Sequence, residues 1–149
     1  MNRPELISPA GGWAALHSAV EAGCDSVYFG VNELNMRARA ENFDPLELKK
    51  VMRFLKGEGR KGYLALNVTV YDNELKLIGK LIRQAKAAGV DAVIAWDAAV
   101  INAAREEGLR IHLSTQASVS NVEAVRFYAS LGVKRIVPAR ECTIEDIGR

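Results

Sequence analysis

His112, Ser114 and Gln116 occupy alternate positions in the segment Ile111-His112-Leu113-Ser114-Thr115-Gln116. An imidazole, a hydroxyl and a carboxamide in one row can hold a polar substrate, and the imidazole can also move a proton. Their spacing has the strand period of two. All three are therefore expected on one face, with Ile111, Leu113 and Thr115 on the other. Polar groups that face the interior of a sheet or barrel are costly unless hydrogen-bonded, which makes the row a candidate site. Gln116 lies at the C-terminal end of the predicted strand and is the best placed. His112 lies early in it and reads equally well as a core histidine.

Other candidates fall at predicted strand ends or in the loops after them. Ser8, Tyr28, Asn67, Asp97, Arg140 and Glu141 all do so, and Asn67 shares its inward parity with Tyr63 and Ala65. Arg37 and Arg39 lie on the loop after the second strand, where guanidinium forks suit phosphate or carboxylate. Arg140 and Glu141 follow the sixth strand and can engage an anionic or polar substrate. Each also has a simpler reading. Asp97 can cap a helix, Tyr28 can fill the core, the arginine loop can be a solvated charged loop, and Arg140 with Glu141 can be an exposed pair worth little. Cys24 occupies a small-residue turn, and Cys142 has no histidine near it in sequence.

The elements that must carry these residues alternate strand and helix along the chain. Strands are expected at 5–8, 26–30, 61–67, 92–96, 111–116 and 135–139. Helices are expected at 13–21, 44–56, from 72 through Ala85, at 98–107 and at 121–131, with a further start at 143–146. Asp44-Pro45-Leu46-Glu47 reads as a capping box with proline at the first helical position, and Ser120 with Glu123 reads as a second box. Ala22-Gly23-Cys24-Asp25 is echoed by Ala88-Gly89-Val90-Asp91 and by Leu131-Gly132-Val133-Lys134. Each copy precedes a strand, and its glycine suits a left-handed helix cap. Asp25 and Asp91 then read as turn residues at strand starts.

Such alternation implies an α/β fold with a parallel sheet and right-handed crossovers. The alternative, an open doubly wound sheet, lacks a GxGxxG after the first strand. Buried strands of open sheets are also near-continuous apolar runs, whereas these carry polar residues on one face. The expected architecture is a TIM-type (β/α)8 barrel in a single domain over 1–149, with six of its eight units in this chain. Active-site residues of such barrels sit at the C-terminal ends of the strands.

The composition has 49% hydrophobic residues, enough for a core, and a net charge of +2, which gives no strong nucleic-acid signature. No run is long and apolar enough for a bilayer span and no signal-peptide pattern is present, so a cytoplasmic setting is expected. The two cysteines form no CxxC pair and no metal framework is visible. No Ser-His-Asp, Cys-His or HExxH pattern appears.

Several stretches occur in register: Glu5-Leu6-Ile7-Ser8-Pro9-Ala10-Gly11, Ala22 through Gly30, Asn35 through Phe43, His112 through Ala117, and Ala139-Arg140-Glu141. In this combination the chain resembles the N-terminal part of the collagenase-like peptidase family U-32, over essentially its whole length. The resemblance implies a (β/α) barrel. It implies one of two activities: peptidase activity on peptides, or hydroxylation of transfer RNA, ribosomal RNA or the ubiquinone ring without oxygen. The family's hydroxylating members carry an iron–sulfur cluster on cysteines downstream of this region, and two separated cysteines could not hold a cubane cluster unaided. No cofactor is therefore expected within this chain itself.

What the resemblance carries over is the substrate-facing half of the barrel. His112, Gln116 and Glu141 are its catalytic candidates. Arg37, Arg39, Asn67, Ser114 and Arg140 are its substrate-binding candidates, and Tyr28 joins them from its own place near a strand end. The favoured function is a part in oxygen-independent, prephenate-linked hydroxylation of tRNA or rRNA. The alternatives are peptide-bond hydrolysis and a non-catalytic binding or assembly module. RNA or peptide is the expected substrate partner, and self-association through exposed sheet edges is expected.

Overall fold

The computed structural model describes residues 3–32 and 42–148. Six strands lie in one sheet, in the order of the chain: β1 (Ile7–Ala10), β2 (Ser26–Phe29), β3 (Lys61–Ala65), β4 (Ala92–Ala95), β5 (Ile111–Leu113) and β6 (Arg135–Ile136). Every neighbouring pair is parallel. Helices alternate with them: α1 (Trp13–Glu21), α2 (Leu48–Gly57), α3 (Leu75–Ala88), α4 (Ala98–Glu106), α5 (Val122–Ser130) and α6 (Ile144–Gly148). A strictly sequential parallel order is that of a barrel wall, since a doubly wound sheet would reverse direction at a switch point.

The two faces of the sheet differ as the strand period requires. Val27, Phe29, Leu64, Val93, Ala95, Ile111 and Leu113 are all buried in one cluster with Leu16, Val51, Leu55, Ile78, Ile82 and Ile101 from the helices. The intervening residues, including Tyr28, Tyr63, Ile94 and His112, take the opposite, inner face. Removal of the outer face from water supplies the main drive for folding.

Local chemistry fixes the joints between units. The Asp44 box forms: the Asp44 side chain accepts from Leu46 N, and Glu47 accepts from Asp44 N. Gly23, Gly89 and Gly132 all adopt positive φ, the left-handed turn that the three echoes called for. Asp25 accepts from Leu6 N and Asp91 from Gly62 N, so each aspartate ties its turn to the preceding strand. Asp97 caps α4 through Ala99 N and also accepts from Val70 N, pinning the loop after β3.

Several expected boundaries move. The first strand lies two residues later, over Ile7–Ala10. The fifth stops at Leu113 because the Ser114 side chain accepts from Gln116 N and opens a 3-10 turn over Thr115–Ala117. Gln116 is therefore on a turn and not on the strand. The cap of α5 is Asn121, accepting from Ala124 N, in place of Ser120. Both are good capping types, and the chain uses the later one.

Candidate functional site: the barrel mouth

At the C-terminal ends of the strands the inner face opens into a cleft of about 610 Å³. Ile7, Pro9, Ala10 and Gly11 form one wall, and Val137 and Arg140 contribute from the β6 side. Between them the polar lining is Tyr28, Asn42, Asn67, Ser114, Thr115 and Gln116. Five of the sequence-predicted residues thus meet in one place: Tyr28, Asn67, Ser114, Gln116 and Arg140.

Each is held by its element. Tyr28 is on β2, in register with Tyr63. Asn67 follows β3, where Leu66 N donates to Ile94 O and Asp97 holds the loop just beyond. Ser114 N donates to Ala95 O, and the Ser114 hydroxyl donates to Gln116 Oε1 at 3.0 Å, which orients the carboxamide. Thr115 donates its hydroxyl to Pro138 O, fastening this turn to the loop after β6. Arg140 is exposed at the rim. The N-terminus of α1, capped by Gly12 without a side-chain hydrogen bond, follows Gly11 at the same rim and adds positive helix-end potential.

Asn42 comes to the cleft through an aromatic anchor that sequence reading did not isolate. Phe43 is buried, its ring edge-on to Trp13 and Phe29 at 5.6 and 5.7 Å. The Trp13 indole donates to Glu47, whose carboxyl is held below its ordinary value by that bond and by Asp44 N. The signal was an aromatic on either side of the loop, Phe29 and Phe43, but nothing in their spacing specifies contact.

The remaining candidates lie elsewhere. His112 faces inward on β5, but its ring packs edge-on against Tyr63 at 4.7 Å and does not line the cleft. Burial, reinforced by the positive Arg135, pushes it down to about 4, so the imidazole is neutral at pH 7. Glu141 is exposed on the turn after β6, outside the cleft lining. Arg37 and Arg39 fall outside the described residues.

Below the cleft, where the strands begin, lies a second polar group. The Tyr63 hydroxyl donates to Glu5 Oε1 at 2.5 Å, Lys61 reaches the same oxygen at 3.3 Å, and the Arg135 guanidinium donates to Oε2. Burial alone would raise the Glu5 carboxyl. Tyr63, Arg135 and Lys61 together outweigh it and hold Glu5 at about 2. Burial and the Glu5 acceptor push Tyr63 up to about 12.

Among the described residues no group of three or more His, Cys, Asp or Glu side chains could hold a metal ion. Cys24 is buried in the apolar core, and Cys142 sits half-buried beyond β6 with its thiol toward Val119 O. The described residues do not fit an iron–sulfur cluster. What the mouth can do is recognise a polar ring. Carboxamides and hydroxyls offer both donors and acceptors, Tyr28 offers an aromatic face, and Arg140 offers a cation for an attached anion.

A sequential parallel sheet, helices along its outer face and a polar cleft at the strands' C-terminal ends define a (β/α)-barrel protein. Residues 11–149 match peptidase family U32, and the chain belongs to that family. It is 40% identical over 148 residues to a collagenase of Porphyromonas gingivalis, covering 99% of this chain and 36% of the relative. It is 33% identical over 147 residues to the tRNA hydroxylation protein P1 of Bacillus subtilis, covering 97% of this chain and 35% of the relative. The chain thus spans about a third of the length of these relatives. In fold it is similar to a U32 peptidase of solved structure, with a TM-score of 0.70 at 16% identity, over 93% of this chain and 61% of the other. Among the described residues, no helix is long and apolar enough to cross a membrane.

Proposed function

We propose that this chain supplies the substrate-holding part of an enzyme that hydroxylates tRNA or rRNA, with the target base in the barrel-mouth cleft. The observation that carries this reading is the convergence of Asn67, Ser114, Gln116 and Tyr28 on one cleft with Arg140 at its rim. Paired donors and acceptors beside an aromatic face match the edge and face of a base displaced from its stack, and the rim cation matches its phosphate. The similarity to a tRNA hydroxylation protein supports RNA as the substrate class. In this reading the hydroxylation is oxygen-independent and prephenate-linked, and the redox group binds outside the residues described. The chain's own part is to bind and orient the base and to keep water from it.

A second reading, peptide hydrolysis, is favoured by the similarity to a collagenase. The described cleft lining pairs no serine or cysteine with a histidine base, which favours the RNA reading. Nucleoside mass spectrometry of RNA from cells with and without the protein carrying this chain separates the two. Loss of a hydroxylated nucleoside in the deletion is expected. Unchanged nucleosides, together with gelatin cleavage by the pure protein, would reverse the choice.

Self-association belongs to the same proposal. No strand pairs with the outer edge of β1 or of β6 among the described residues. Exposed edges of this kind invite pairing. Light scattering of the chain should show dimers or larger species; a monomer at every concentration would count against this.

A further inference from the structure

β1 and β6 are the two edge strands of the sheet, and they also form opposite walls of the cleft. No ladder joins them among the described residues. At the opposite end, one side chain spans the interval. Glu5 stands two residues before β1, Arg135 is the first residue of β6, and their side chains meet directly across the barrel floor. The Glu5 backbone segment is fixed to β2, because Leu6 N donates to Asp25 and both Asp25 N and Ser26 N donate to Leu6 O. Its carboxylate, 18% exposed, cannot move far without losing Tyr63 and Lys61 from β3 as well.

Arg135 is held in turn. Its guanidinium lies 5.7 Å from the centre of the Tyr63 ring, and the same ring meets neutral His112 edge-on. A planar guanidinium that donates to a carboxylate oxygen and lies near an aromatic ring is more restricted in direction than a flexible ammonium. The floor therefore links β1 to β6, and the chain runs from it along these two strands to Pro9 and Val137 at the mouth.

The geometry points to Glu5 as a positioning residue. By bridging β1 to β6 through Arg135 at the floor, it sets the separation of the two cleft walls at the mouth. This goes beyond the proposed RNA reading and holds whatever ligand the cleft takes. Nothing in the role requires Glu5 to touch substrate.

The test is a distance. In the intact protein, nitroxides on genetically encoded keto residues replace exposed Ala14, at the start of α1, and exposed Glu141, beyond β6. Pulsed electron paramagnetic resonance then reads the wall-to-wall separation. Glu5→Gln and Arg135→Gln should each broaden and lengthen the distribution, and the double variant should add nothing further. Arg135→Lys, which keeps the charge and loses the fork, should give an intermediate result. That variant also carries the measurement if the other two do not fold. A lower melting temperature with an unchanged distribution in the folded variants would overturn the proposal and leave Glu5 as an ordinary stabilising ion pair. RNA hydroxylation is not part of the readout, so failure here and failure of the RNA reading are distinct.

Discussion

Acidification from pH 7 to pH 2 removes folding stability in two overlapping steps, assigned to His112 and Glu5. His112 falls from an ordinary 6.5 to about 4 in the folded protein. Between those values the unfolded chain takes up a proton that the folded chain refuses, so stability is lost as the pH falls. Glu5 falls from 4.5 to about 2, which gives a loss of the same sign in a lower window. The Glu5 step is the smaller, because its partners Lys61 and Arg135 are part-exposed and screened by solvent. The His112 step is on the order of 3 kcal/mol at full effect. That is a large share of the 5–15 kcal/mol or so that holds a typical domain together. Urea titrations at intervals between pH 8 and pH 2 should show stability highest above pH 6.5. In His112→Gln the upper step should flatten. In Glu5→Gln the lower step should flatten and stability at pH 7 should drop, because Arg135 and Lys61 lose their common partner. Slopes that match the wild type in both variants would show that the floor does not control acid stability.

The second large effect belongs to the mouth. Asn67→Ala and Gln116→Ala should each cut hydroxylated-nucleoside formation by about 10- to 100-fold, which is roughly 1.4–2.7 kcal/mol of lost transition-state stabilisation. Both side chains are part-exposed at the cleft and leave the apolar core untouched, so melting should move little. Arg140→Ala should raise KM with kcat nearly unchanged, as removal of a uniform phosphate contact does. Equal losses of activity and stability across the three variants would mean that the cleft is structural.

Much of this arrangement was legible in the residues. The Ala-Gly-x-Asp echoes announced repeating turns, and each glycine adopts the backbone angle that only a glycine takes easily. Asp44 and Glu47 announced a helix start because their hydrogen bonds are local. Inward parity put Asn67 and Ser114 on the face that lines the cleft, and Tyr28 reaches it from its place near a strand end. Gln116 reached the cleft by a different route, since Ser114 competes for the backbone and turns the chain out of the strand. Depth along the barrel was not legible. His112 shares its parity with Ser114, but strand stagger sets it against Tyr63 below the cleft. The floor was least legible of all, because Glu5 and Arg135 are 130 residues apart. Each alone reads as a surface charge, and only the curl of the whole sheet brings the start of β1 and the start of β6 together.

Photocrosslinking from inside the cleft shows whether the mouth holds an RNA base. With a benzophenone residue at Tyr28 in the intact protein, irradiation in cells should attach it to RNA at the nucleoside lost in the deletion strain. The same residue at Leu46, 82% exposed and outside the cleft lining, should give no such product. Adducts from position 28 found only on peptides, or RNA adducts equal at both positions, would contradict an RNA base in the mouth.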